Sequence, residues 1–349
     1  MNEPSTDLVA IDSPEAVQVF ADLVEQARQL TENRHSDNTK KAYISDFAHF
    51  QDWCTYTSDR TGVDIQSLPA QPEAVYLYIT EMVADNNAAG WAMSTLERRL
   101  SAIRWKHETN NHISPTLHQL IKDLMAGTRR SYGKPENKSE PLSTDQLRKI
   151  LHHLDLDTLT GLRNRALLLF GYAGAFRRSE LAGLDRSQLH RVGNKGYRVE
   201  LVKTKDDQES QGRPVGIPTF PNSPLCPVTA IDEWMVAAKI NTGAVFRKVT
   251  RGQTITDTPL VGDSIARLLK KMATNAGIPT TNISGHSLRA GHCTTAAQNG
   301  APDRYIMDQT GHTSLDTLNG YIRPATVFLN NSADYLDLGP SVDDQRNPQ

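Results

Sequence analysis

The feature that most constrains this chain is a set of polar residues toward its C-terminal end that make chemical sense only together. Ser284-Gly285-His286-Ser287-Leu288-Arg289-Ala290-Gly291-His292 is followed by Thr310-Gly311-His312-Thr313-Ser314 and then by Gly320-Tyr321-Ile322-Arg323. Residues three apart on a helix share a face, so His286 and Arg289 can converge on one anion. A short helix starting near Ser314 would carry the phenol of Tyr321 back toward the same anion. A phenol aimed at a clamped phosphate implies nucleophilic attack on a phosphodiester, with a covalent tyrosyl intermediate. Singly, each group would pass for a solvated helix face or ordinary packing; the ordered set is far more specific.

A chain of 349 residues is too long for one ordinary core, and its composition breaks once. Residues 129–142 are polar, Gly- and Pro-rich and have almost nothing to bury, which reads as an interdomain linker, with Arg129 and Arg130 suited to a strap across a DNA backbone. Upstream, residues 1–32 form an acidic extension with one helix beginning at Ser13-Pro14-Glu15 and striped by Val17, Phe20, Val24 and Ala27. Residues 33–128 read as helices only. Asn38 would cap one carrying Phe47, Phe50 and Cys54, and others run from about Pro72 to Ala84, Ser94 to His107 and Pro115 to Ala126. Their polar faces hold Lys40, Lys41, Arg98, Arg99, Arg104 and Lys106, which could line a groove that meets phosphates.

Residues 143–323 open on the capping box Ser143-Thr144-Asp145-Gln146. The run from Arg165 to Gly174 is apolar almost all round and predicts a buried central helix. It leads into Ala175-Phe176-Arg177-Arg178-Ser179-Glu180, where an arginine leaving a buried helix needs an anion and Glu180 is its natural carboxylate neighbour. Tyr197 to Val202 alternates like a strand, Pro214 to Pro218 looks like its return partner, and the polar loop between them carries Lys203 and Lys205. Further helices are expected at Val228 to Lys239, Val261 to Ala276 and from His286. The last segment, 324–349, holds Val327, Phe328, Leu329, Tyr335 and Leu336, apolar groups that a purely solvated end does not require.

A net charge of -2 would argue against nucleic acid if it were evenly spread. It is −6 over residues 1–32, 0 over 33–140, +7 over 141–323 and −3 over 324–349, so the basic excess lies with the polar set. Cys54, Cys226 and Cys293 are widely spaced and odd in number, which fits reduced thiols; His286, His292 and Cys293 have poor spacing for zinc. With no apolar run of membrane length and no signal-like start, a cytoplasmic protein is expected.

Arg177 in its Phe-Arg-Arg-Ser-Glu-Leu setting, a lysine on a β-hairpin, His286-x-x-Arg289, His312 and Tyr321 nine residues later, in that order, resemble the signature of the tyrosine recombinases, the phage integrase and Xer-like family, with a layout similar to its Cre-type members. The Asn38-Thr39-Lys40-Lys41-Ala42-Tyr43 stretch also resembles the start of that family's core-binding domain. The resemblance spans about residues 33–335. It implies a mainly α fold with a small antiparallel sheet in the catalytic domain, and a two-domain C-shaped clamp on double-stranded DNA. It further implies catalytic roles for Arg177, Lys205, His286, Arg289, His312 and Tyr321, with Glu180 behind Arg177; Lys205 fits the family loop better than Lys203. No metal, cofactor or small-molecule substrate is implied, because arginines and lysine supply the positive charge at the phosphate. The expected partners are inverted half-sites and a homotetramer, the tail docking on a neighbouring protomer. A type IB topoisomerase, a telomere resolvase or a catalytically silent DNA-binding regulator are the competing readings.

Overall fold

The structure is a computed structural model that describes residues 18–26, 34–84, 92–133, 139–201, 212–327, 333 and 336. The chain divides into two compact units, Met1–Glu136 and Asn137–Gln349.

The first unit is helical. Helix α1 (Asp37–Thr61) is capped by Ser36, whose hydroxyl accepts from the Thr39 amide, so the cap lies two residues before the expected Asn38. It ends at Gly62 in the left-handed region (φ 73), which a glycine adopts without steric cost. Helix α2 (Pro72–Ala84), α3 (Met93–Thr109), a single turn at Pro115–Leu117 and α4 (Gln119–Tyr132) complete the set. Phe47, Phe50 and Cys54 recur at helical spacing and meet Val75, Tyr78, Ile79, Leu96, Ile103 and Ile121 in one buried cluster. Helix α4 runs on through the stretch expected to begin the linker: Met125 and Thr128 are both buried, and that packing holds the helix across Gly127. Residues 18–26 are helical, with Val19, Phe20, Leu23 and Val24 exposed.

Burial corrects one of the expected DNA contacts. Arg99 is 6% exposed, and its guanidinium donates to the Tyr78 hydroxyl (3.3 Å) and the Met82 sulfur (3.0 Å). Its Nε lies 3.9 Å from buried Asp46, which Arg98 grips from the surface at 2.6 and 3.1 Å. Period alone put Arg98 and Arg99 on one polar face; in fact consecutive residues diverge by roughly 100° around a helix. Arg99 therefore points into the core and is no phosphate contact.

The second unit is built on α6 (Leu159–Ala173), in which Ala166, Leu167, Leu168, Leu169 and Phe170 are all buried, as an all-round apolar run requires. Around it stand α5 (Thr144–His152), the short α7 (Arg178–Ala182), α8 (Pro227–Ala237) and α9 (Gly262–Asn275). They are followed by α10 (Ser287–Gln298), α11 (Asp303–Thr310) and α12 (Leu315–Ala325). The expected hairpin is present: β2 (Gly196–Leu201) pairs antiparallel with β3 (Arg213–Pro218), Val199 opposite Val215. Two additions escape sequence reading, β1 (Leu189–Val192) on the outer edge of β2 and the small hairpin β4 (Arg247–Val249) with β5 (Ile255–Pro259). Only one residue of β1 is buried, so its sequence carries no alternation to detect.

Close backbone approach fixes α10. A side chain at Gly291 would lie 2.0 Å from the Leu142 carbonyl, and the Leu142 amide donates to the Ser287 carbonyl at 3.1 Å. Gly171 on α6 likewise leaves room for Leu181 and Leu288. The segment entering the unit is thus stitched along the helix that carries Arg289.

Candidate active site

Arg289 lies on the first turn of α10, 3% exposed, at the centre of the polar set. Its Nη1 donates to the carbonyls of Ala175 (2.8 Å) and Thr310 (2.7 Å), which fixes the plane of the guanidinium. Ala175 supplies that carbonyl from a left-handed backbone (φ 48), unusual for a residue with a side chain. The other terminal nitrogen, Nη2, is buried with no hydrogen-bond partner among the described residues. A buried donor left idle is costly unless something arrives to accept from it.

Arg177, at the N-cap of α7, is held twice by one carboxylate. Its amide donates to Glu180 Oε2 at 2.9 Å and its Nη1 to Glu180 Oε1 at 2.7 Å. Glu180 is nearly buried and lies 3.9 Å from the guanidinium of a further arginine, Arg213 on β3. Burial first, and then the Arg177 charge, push the Arg289 pKa down to about 10 against the pull of Glu180. Burial likewise lowers Arg213. Arg177 and Arg213 thus share one carboxylate, with Arg289 close enough to feel its charge, and the excess positive charge in a desolvated place suits an anion.

His312 follows the left-handed C-cap Gly311 of α11. Its Nδ1 is 2.9 Å from the Thr310 hydroxyl. That hydroxyl donates to the Ile306 carbonyl at 2.7 Å, so its oxygen accepts from His312 and the ring carries its hydrogen on Nδ1. Nε2 is then the ring nitrogen without a hydrogen in the neutral imidazole. The His312 ring stacks on Tyr321 with centroids 5.9 Å apart and 23° between planes. Tyr321 is half-buried on α12, against a small cluster formed by Cys293, Ala297, Ile306, Leu318 and Ile322. One chain of contacts therefore runs from Tyr321 through His312 and Thr310 to Arg289 within a single polypeptide. His286 stands at the N-cap of α10, exposed, with its amide donating to Ser284 Oγ at 3.1 Å.

Residues 140–326 match the phage integrase family. The chain belongs to that family. It is 33% identical over 310 residues to an integrase/recombinase xerD homolog of Selenomonas ruminantium, covering 88% of this chain and 87% of that protein. Among solved structures it shares its fold with the XerH site-specific recombinase in a post-cleavage complex on palindromic difH substrate. That likeness has TM-score 0.54 and 16% identity, over 75% of this chain and 71% of that one. A lambda integrase tetramer bound to a Holliday junction is similar too, at TM-score 0.53 and 14% identity over 89% and 81% of the two chains. The chain is a site-specific tyrosine recombinase, mainly helical with small antiparallel sheets.

Within this integrase, the structure brings together Arg177, Glu180, Arg289, His312 and Tyr321. Lys203 and Lys205 lie outside the described residues. Arg178 is not a free surface cation: it pairs with Asp263 at 2.9 Å and lies over Gly285 and Gly262, where side chains would meet it. Nothing in the sequence around Arg213 singles it out as part of the site. Its signal was the conjunction with Gly311, because a side chain at Gly311 would stand 2.6 Å from Arg213 Nε, but that is a contact between residues far apart in sequence.

His292, one turn beyond Arg289, donates from Nδ1 to the Tyr172 carbonyl at 2.9 Å. Burial holds its pKa below the usual 6.5, and Arg289 adds to the effect, while the bond to Tyr172 opposes it. The unfolded chain therefore takes up this proton first, so the contribution to stability is complete above pH 6.5 and declines as pH falls below it. One such group accounts for at most about 1.4 kcal/mol per pH unit. The difference between urea midpoints at pH 7.5 and 5.5 is expected to narrow in His292→Gln, the remainder coming from groups such as His35, His49 and His107, which burial also lowers; an unchanged difference would refute the assignment.

In the first unit, Lys41 and Arg104 are exposed, while Lys40 and Lys106 are half-buried, Lys106 over the Phe47 ring at 5.8 Å. Arg104 pairs with Glu108 at 2.6 Å and Arg129 with Glu97. Exposed pairs of this kind contribute little to stability, roughly 0–1 kcal/mol, and can be exchanged for phosphate contacts.

Proposed function

We propose that this recombinase cuts and rejoins DNA strands at inverted half-sites through a 3′-phosphotyrosine intermediate. Tyr321 attacks the scissile phosphorus; the 3′ side of the DNA becomes bonded to its oxygen and the 5′-oxygen leaves as a hydroxyl. The bond broken is replaced by one of the same kind, so a partner strand's 5′-hydroxyl can reverse the step without ATP. Arg177 and Arg289 take the non-bridging oxygens, Arg289 through the buried Nη2 that has no other acceptor among the described residues. His312, its Nδ1 committed to Thr310, donates from Nε2 when protonated. His286 donates or relays a proton, and Lys205, in preference to Lys203, protonates the leaving oxygen. The observation that carries this reading is the continuous contact path from Tyr321 to Arg289, which supports a nucleophile acting within its own chain.

The helical unit serves as the core-binding domain, with Lys40, Lys41, Arg98, Arg104, Lys106, Arg129 and Arg130 along the backbone of double-stranded DNA; Arg99 is withdrawn from that role. A homotetramer on two sites follows from the chemistry of exchange, since four strands must be cut and joined. The palindromic substrate of XerH and the tetrameric lambda integrase support it by kinship. A cytoplasmic location is consistent with the absence, among the described residues, of a helix long and apolar enough to cross a membrane. Covalent trapping on a nicked suicide duplex carrying the half-sites tests the chemistry. A supercoiled plasmid without a specific site separates a recombinase, which leaves it supercoiled, from a topoisomerase, which relaxes it. For the tail, most of which lies outside the described residues, truncation at Asn330 is expected to abolish synapsis while single-site binding persists; unchanged synapsis would refute docking on a neighbour.

A further inference from the structure

Arg213 starts β3, and its side chain reaches two separate parts of the site. It is 16% exposed, with Nη2 at 3.9 Å from Glu180 Oε2. Its Nη1 donates to the carbonyls of Gln309 and Asp308, the latter at 3.4 Å, in the last turn of α11. Nε and Nη2 are buried and form no hydrogen bond among the described residues. A cation kept in such surroundings destabilises the fold relative to an apolar side chain of the same length, so packing gives no reason for it. Gly311 is part of the same arrangement. Besides taking the left-handed backbone (φ +69) that ends α11, it leaves the space that Arg213 Nε, Cδ and Cζ occupy, since a Cβ would stand 2.6, 2.8 and 3.0 Å from them.

We propose that Arg213 is a positioning residue for strand cleavage: it draws on the same carboxylate that holds Arg177 and anchors the carbonyls that lead into Gly311 and His312, setting both groups at the phosphate. Glu180 shared between Arg177 and Arg213 leaves Arg177 only partly neutralised and able to bind phosphate. With Arg213 removed, Glu180 turns wholly to Arg177, and the end of α11 loses the donor that fixes it. Cleavage then slows, whereas DNA binding, spread over many backbone contacts, hardly changes. The inference rests on the reading of Arg177 as a ligand of the scissile phosphate.

The test compares single-turnover cleavage and DNA affinity for Arg213→Met, Arg213→Lys and Arg177→Ala on a normal suicide duplex and on one with a methylphosphonate at the scissile position. The methyl group removes the charge that Arg177 meets. On the normal duplex, Arg213→Met is expected to cleave roughly 30- to 100-fold more slowly with affinity within about threefold, Arg213→Lys falling between it and the unmodified protein. On the neutral duplex the deficit of Arg213→Met shrinks to within about fivefold, in parallel with Arg177→Ala. Arg213→Lys keeps a cation beside Glu180, and a melting midpoint within about 3 °C of the parent guards against loss of fold. A deficit equal on both duplexes while Arg177→Ala is relieved overturns the role of Arg213 alone, as does affinity that falls with rate. An Arg177→Ala protein that gains nothing on the neutral duplex overturns the phosphate assignment and this inference with it.

Discussion

Tyr321→Phe is expected to eliminate covalent capture of DNA, by at least about four orders of magnitude, while leaving the fold and DNA affinity intact. The loss is that large because, in the proposed mechanism, the phenolic oxygen is the atom that bonds to phosphorus. The fold survives because the ring, not the hydroxyl, does the packing: Tyr321 meets the Cys293–Leu318 cluster and stacks on His312 through its face, and phenylalanine keeps both. Removal of one half-exposed hydroxyl costs about 1 kcal/mol or less. Denaturing gels of a nicked suicide duplex give the covalent yield, and gel shifts give the affinity. Covalent product from Tyr321→Phe would show that another residue is the nucleophile, and a dead protein that also fails to bind would show only a damaged fold.

Arg289→Lys is the second large effect, with cleavage falling by roughly a thousandfold or more. A lysine has the charge but not the fork. The guanidinium spends Nη1 on the Ala175 and Thr310 carbonyls and keeps Nη2 free of partners among the described residues, and one ammonium cannot do both. Electrostatics adds to geometry. Burial and Arg177 bring Arg289 down to about 10, a value at which an arginine is still charged at neutral pH. A lysine begins near 10.4, so the same surroundings would weaken its hold on the proton further than they do for arginine. Arg289→Ala should in addition lower unfolding free energy by about 2–4 kcal/mol, because two carbonyls lose their donor in a dry place. Single-turnover cleavage and urea unfolding measure the two parts separately; a lysine variant within tenfold of the parent would place the phosphate elsewhere.

Much of the site was legible because the recombinase chemistry needs particular side-chain types in a particular order. Arg177, Glu180, Arg289, His312 and Tyr321 are found together, and part of the reason is local, since Glu180 is three residues from Arg177 and Thr310 two from His312, while Arg289 is placed by the remote Ala175 and Thr310 carbonyls. The core helices were equally legible, since Phe47, Phe50 and Cys54, or the run 165–174, announce burial by their spacing. Failures fell where the deciding partner was remote. Arg99 and Arg98 are equivalent in composition, yet Asp46, Tyr78 and Met82, brought by other helices, make one a core residue. Residues 129–132 look like linker until Met125 and Thr128 find the core and carry the helix on. Arg213 sits in a polar loop sequence and gains its meaning from Glu180 and Gly311.

The sequence by itself therefore determined the reagents: a phenol, cations for phosphate, imidazoles, and helices periodic enough to hold them. Tertiary structure decided which cations face solvent, which face one another, and that Arg177 and Arg213 share a single carboxylate near Arg289. Side-chain chemistry is a property of the residue and can be read one letter at a time. Burial and charge coupling depend on what lies within a few ångströms, and at this site those neighbours come from β3, α7, α10 and α11, up to more than a hundred residues apart.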